Sequence, residues 1–190
     1  MKQMVVVLVL VTLVSGIVLA TVYTRLIPMI RENQRLATER SLSALFDGDR
    51  NPDFEEVPTD GTTVYRAQSD NGELLGYAVR VTTTGYGGEI QLLVGLTPDS
   101  ETIRGIQVVE HIETPGLGGR ITEDAFGEQF KGLDATRDIT YVKNAERNED
   151  DNEIEAISGA TISSSAVVSG INNVLDGVFE TLTSTGKDAP

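Results

Sequence analysis

Two short, glycine-punctuated segments carry the residue types that could do chemistry. The first, Ser158-Gly159-Ala160-Thr161-Ile162-Ser163-Ser164-Ser165, is small and hydroxyl-rich and leads into a run with helical apolar spacing. The start of a helix leaves N–H groups unpaired and carries the positive end of the dipole, so such a segment favours an anion, above all a phosphate. A helix N-cap alone would also explain it, since any one of these hydroxyls suffices for capping. The second segment, Glu110-His111-Ile112-Glu113-Thr114-Pro115-Gly116-Leu117-Gly118-Gly119, directly follows a strand-like run. Its glycines permit close approach of backbone to a ligand and Pro115 stiffens the entry, although a loop of tight turns needs no more than this.

Composition narrows the chemistry. The 190 residues include no Cys and one His, which excludes a disulfide framework, Cys-ligated zinc or iron–sulfur sites and a thiol nucleophile. His111 is the single base available to a Ser-His-Asp arrangement, and a lone His is more often structural than catalytic; it is read as a bystander. Redox chemistry would therefore need a borrowed organic cofactor. The formal net charge is −14; residues 1–40 carry +3 and the remaining 150 carry −17. Such an acidic body repels phosphate backbones, so nucleic acid is not an expected partner.

The elements that must position these segments are legible in outline. Met4–Val22 is an uncharged apolar run of 19 residues, as a helix roughly 28 Å long and close to the thickness of a bilayer core. Its length favours a retained membrane anchor over a cleaved signal peptide, for which Val18 and Ala20 offer small residues. Counted literally, Arg25, Arg31 and Arg35 against Lys2 would keep the following domain cytoplasmic, a rule that long domains follow poorly. Leu26–Phe46 reads as a polar helical stalk, with Leu36, Leu42 and Leu45 too sparse to demand deep burial. Asp47–Gly61, rich in Pro, Gly and Asp, reads as a linker.

Strand-like runs follow at Thr63–Ser69, Leu74–Thr83, Glu89–Thr97 and Thr102–Glu110, separated by turn residues at short spacing that implies an antiparallel meander. A short helix is expected over Thr122–Phe130. The last helix places Val167, Val168, Ile171, Val174, Leu175, Val178, Phe179 and Leu182 on one apolar face. The expected fold is α+β, an N-terminal transmembrane helix followed by an antiparallel sheet with packed helices. The expected divisions are an anchor over 1–25, stalk and linker over 26–61, a folded domain over 62–184 and a tail over 185–190. The acidic run Asn148–Glu155 reads as a solvated loop.

Taken together, the anchor, Gly85-Tyr86-Gly87-Gly88 with its following strand, the E-T-P-G-L-G stretch and S-G-A-T resemble the FMN-binding family of RnfG, a component of the bacterial Rnf electron-transport complex. NqrC of the sodium-pumping quinone reductase is its close relative. The resemblance implies FMN joined covalently, through a phosphoester made by a flavin transferase, to the hydroxyl of Thr161. It implies further cofactor contacts at Ser158, Gly159, Ala160, Ser163, Ser164, Glu113, Thr114, Gly116 and Leu117. The family's recognition pattern commonly places Asp six residues before the Thr; Glu155 stands there, with a longer arm. Electron relay by a carrier component, rather than stand-alone catalysis, is the implied function. The implied partners are integral membrane subunits, a second covalent flavoprotein and iron–sulfur subunits linking ferredoxin and NAD to ion movement. The implied place is the cytoplasmic (inner) membrane with the flavin domain on its periplasmic, extracytoplasmic side, which is adopted over the charge count. An NqrC-like component, or an anchored module that holds FMN reversibly or serves assembly alone, is the alternative.

Overall fold

The computed structural model describes residues 2–48, 52–59, 61–143, 145, 147–148 and 151–185, and the backbone alone at Pro58 and residues 179–185. The chain divides into two compact units, Met1–Glu39 and Arg40–Pro190. The first consists of most of helix α1, Lys2–Leu45. Its apolar run is exposed along its length, and it is long and apolar enough to cross a membrane. Two of the hydroxyls interrupting that run find acceptors in the helix itself: Thr12 Oγ1 donates to Leu8 O at 3.0 Å and Thr21 Oγ1 to Ile17 O at 2.7 Å. Neither hydroxyl proton needs water, which suits a lipid surround.

The second unit is built on five antiparallel strands in sequence order: β1 Asp53–Pro58, β2 Thr63–Gln68, β3 Leu74–Thr84, β4 Glu89–Leu96 and β5 Ile103–His111. The four strand-like runs read from the sequence are β2 to β5. The strand β1 lies where composition reads as linker: Asp53–Pro58 pairs residue for residue with Gln68–Thr63. Its charges and proline are what an unpartnered sheet edge tolerates.

Strand alternation gives the sheet two buried faces. On one, Val79, Val81, Ile90, Leu92 and Val94 meet Val167, Val168, Ile171 and Leu175 of the last helix, α3 Thr161–Thr185. Between them the short segment expected as one helix forms a 3₁₀ turn at Gly118–Thr122, helix α2 Asp124–Gly127 and a second 3₁₀ turn at Glu128–Phe130. The opposite face carries Ala67, Ala78 and Leu93, covered by Leu42, Leu45 and Phe46. The end of the expected stalk is thus part of the core, where sparse leucines imply a solvated helix. Phe46 is 1% exposed, and the Arg104 guanidinium lies 4.8 Å from its ring centre.

The acidic run is likewise more than a loop. Glu153–Glu155 forms β7, which pairs in parallel with β6, Thr140–Val142, and buries Ile154. Asn152 anchors its start: its side-chain oxygen accepts the Asp134 N–H at 2.8 Å and its amide donates to Asp134 O at 3.0 Å. Glu149 and Asp150, residues 186–190 of the tail, and the side chains of Phe179 and Leu182 lie outside the described residues.

Candidate functional site

The chain reverses just before α3 through a turn closed by Ala160 N–H donating to Ile157 O at 2.9 Å. Its third residue, Gly159, has φ +81°, the conformation a type II turn requires there. Helix α3 then starts at Thr161. The three serines that follow do three different things. Ser163 Oγ donates to Glu113 Oε2 at 2.8 Å, 50 residues away in sequence. Ser164 Oγ accepts the Ile157 N–H at 3.0 Å and donates to Ala160 O at 3.1 Å, tying the turn to the helix. Ser165 Oγ donates only to Ile162 O of its own helix, at 3.0 Å.

A second turn lies opposite. Thr114-Pro115-Gly116-Leu117 is closed by Leu117 N–H donating to Thr114 O at 3.2 Å, with Gly116 at φ +75°. Proline in second place and glycine in third is again the composition of a type II turn. Upstream, Glu113 N–H donates to His111 Nδ1 at 3.1 Å, so His111 helps shape the loop. A third segment, the β3–β4 connection Gly85–Gly88, is closed by Gly85 N–H to Gly88 O at 2.8 Å. Its Gly87 N–H donates to Glu113 Oε1 at 2.9 Å.

These three segments enclose a cleft of about 440 Å³, within the roughly 300–1,000 Å³ of small-molecule sites. Of the residues singled out in the sequence, Glu113, Thr114, Leu117, Gly159, Ala160, Thr161 and Ser163 line it. Gly116 serves the turn behind Leu117, Ser158 is the exposed second residue of the turn before α3, and Ser164 lies buried beneath that turn; none of the three lines the cleft. Tyr86, Gly118 and Ile162 line it without having been singled out as contacts. For Tyr86 the available signal is an aromatic set between glycines in a hairpin turn, where packing gives it no role. From Arg40 onward, Tyr86, Ile112, Leu117 and Ile162 are the exposed large apolar side chains among the described residues. Three line the cleft, and Ile112 sits beside Gly88, whose added Cβ would lie 3.4 Å from it.

Chemically, the cleft joins an apolar rim to a hydroxyl on the first residue of a long helix. The rim suits a flat ring system and the helix start suits a phosphate. An added Cβ at Gly159 would meet only Leu117 Cδ2, at 3.5 Å, so the turn leaves room beside Thr161. FMN, a ring system ending in a phosphate, fits this donor set. A larger cleft of about 530 Å³ lies along β5 and α2, but it holds none of the predicted site residues and mixes Arg104 and Lys131 with Glu123, Asp124 and Glu128. Glu155, at the end of β7, is exposed; its N–H donates to Gln129 Oε1 at 2.7 Å and its carbonyl accepts from Gln129 Nε2 at 3.3 Å. The backbone is therefore pinned while the side chain stays open to solvent.

Comparison with known proteins matches residues 85–176 to the FMN-binding domain family. The chain is 36% identical over 183 residues to the G subunit of the ion-translocating oxidoreductase complex of Methanosarcina acetivorans, covering 92% of each. It is 34% identical over 166 residues to the G subunit of the proton-translocating ferredoxin:NAD(+) oxidoreductase complex of Clostridium ljungdahlii, covering 87% of this chain and 84% of that one. Among solved structures it is similar to NqrC of Shewanella oneidensis, with a TM-score of 0.58 and 26% identity; the match covers 65% of this chain and 61% of that one.

Proposed function

The chain belongs to the RnfG family of ion-translocating oxidoreductase components, and from that premise we propose that it relays electrons through FMN carried as a phosphoester on Thr161. The observation that carries this reading is the convergence of Thr161, the Leu117 turn and the exposed Tyr86 on one cleft. Bound there, FMN would supply the electron-carrying chemistry.

The chain's own part is placement. The Gly159 turn sets Thr161 on the cleft wall. The first N–H groups of α3 lie where a phosphodiester keeps one negative charge, which would be costly to bury without donors. Leu117, Ile162 and Tyr86 offer the ring system apolar surface. Attachment removes dissociation, so a flavin would be retained where free FMN is scarce. That suits a domain held by α1 on the extracytoplasmic side of the inner membrane, and protection from protease in sealed right-side-out vesicles would overturn this placement.

Its partners in this reading are the membrane, iron–sulfur and second flavoprotein components of an Rnf-type complex, with a flavin transferase for maturation. In this reading the exposed Glu155 stands in for the aspartate of the family's recognition pattern, and its longer arm bears on how efficiently that transferase modifies the chain. The likeness to NqrC favours, as a second reading, the equivalent place in a quinone reductase. The test is flavin fluorescence of the full chain on a denaturing gel after coexpression with its transferase. The native chain and Thr161→Ser fluoresce and Thr161→Ala is dark. Fluorescence in the alanine variant moves the acceptor elsewhere, and a dark native band with an active transferase leaves reversible binding.

A further inference from the structure

We infer that Glu113 is the positioning residue of the cleft, the one carboxylate that sets the spacing between the wall bearing Tyr86 and the wall bearing Thr161. The inference rests on the flavin reading only for what the cleft holds; the clamp itself belongs to the flavin-free protein. Glu113 is 5% exposed, and its two oxygens go to two different walls: Oε1 accepts Gly87 N–H at 2.9 Å and Oε2 accepts the Ser163 hydroxyl at 2.8 Å. The bonded residues lie 26 and 50 positions away, so one side chain joins segments far apart in sequence.

The space around the carboxylate is made by missing side chains. A Cβ on Gly85 would fall 2.2 Å from Oε1, and a Cβ on Gly118 would fall 2.2 Å from Oε2 and 2.6 Å from Ser163 Oγ. Each oxygen is thus walled by a glycine. A carboxylate suits the place because both partners donate. Glutamine can replace it, with its oxygen toward Gly87 and its amide donating to a rotated Ser163 hydroxyl. Alanine offers neither bond, and then the Tyr86 turn and the α3 wall lose the side chain that joins them directly. Carried on Thr161, a flavin would find its facing wall displaced.

The experiment is amide hydrogen exchange by NMR on the full chain in detergent, for the native protein, Glu113→Gln, Glu113→Ala and Gly118→Ala. Gly87 is protected in the native chain and in Glu113→Gln, and exchanges at least tenfold faster in the other two, while Leu92 and Val94 in β4 keep their protection. In flavin-loaded samples the fluorescence anisotropy of the flavin falls in Glu113→Ala and is kept in Glu113→Gln. Equal Gly87 exchange in native and Glu113→Ala, or Glu113→Gln as fast as alanine, overturns the clamp. Unchanged anisotropy in Glu113→Ala overturns the positioning role. If Glu113→Ala loses its β4 protection as well, Glu113→Gln decides: a protected Gly87 supports the clamp and a rapidly exchanging one refutes it. Flavin loading is scored separately, so a native chain without flavin sinks the cofactor reading while Gly87 still reports on Glu113.

Discussion

Alanine substitution at Ser164 and at Ser165 separates two roles that composition alone makes identical. Ser164 is fully buried and is the acceptor for the Ile157 N–H. Removing its hydroxyl strands that donor away from water, which costs about 1–3 kcal/mol. Alanine returns roughly 0.5 kcal/mol through its better helix propensity. The net loss is about 0.5–2.5 kcal/mol, and at roughly 2–4 °C per kcal/mol for a unit of this size the melting temperature falls by about 1–10 °C. Ser165→Ala gives up only a bond back to its own helix, so its melting temperature stays level or rises by about 1–2 °C. Thermal unfolding of the full chain in detergent, followed by tyrosine fluorescence, reads both values. Since Ser164 also fixes the turn that presents Thr161, its alanine variant should load flavin more slowly than Ser165→Ala. Equal melting temperatures for the two variants would refute the assignment of the Ile157 hydrogen bond.

Glycine replacements on α3 should act with opposite signs. A Cβ at Gly170 would lie 2.9 Å from Thr83 Cβ and 3.1 Å from Val81 Cγ1, whereas one at Gly177 meets nothing within 4 Å. Gly177→Ala is expected to stabilise by about 1 kcal/mol, while overpacking leaves Gly170→Ala neutral or destabilised by up to about 2 kcal/mol; chemical denaturation checks both. Phe46→Ala should cost about 3–5 kcal/mol yet leave flavin attached in the folded fraction, which a denaturing gel after loading reads. The Asp134 carboxyl is held below its ordinary value, first by the Thr136 hydroxyl and then by the Thr136 N–H. Its contribution is complete above the unfolded pKa of about 4 and fades as pH falls further. Asp134→Asn should accordingly flatten the acid limb of the stability profile.

Where alternation and turn residues agree, as over β2 to β5, the sequence is read correctly strand by strand, because each signal is local. The strand β1 escapes that reading since its Asp, Glu and Pro are the composition of a loop, and only pairing with β2 makes it a strand. Leu42, Leu45 and Phe46 escape it for a related reason: three apolar residues are enough to cover the second face of a sheet, but not to announce a buried helix. At the site, the two glycine-bearing segments and most of the cleft lining are legible from motif and resemblance. Tyr86 and Ile162 are not, because their significance lies in being exposed together. The partners of Glu113 are out of reach of any pattern, since the bonds span dozens of residues.

The order of the cleft's walls along the chain has a consequence during synthesis. The hairpin bearing Tyr86 and the loop bearing Leu117 leave the ribosome first, as part of a meander whose contacts are nearly all between neighbours and form readily. The wall bearing Thr161 comes last, and the helix behind it must close on strands made some 90 residues earlier, Gly170 against Thr83. With Thr161 as the proposed acceptor, a nascent chain would offer no hydroxyl for the flavin until α3 emerges. On that reading attachment would act as a checkpoint on completion, since a chain that stalls before α3 offers the transferase nothing to modify.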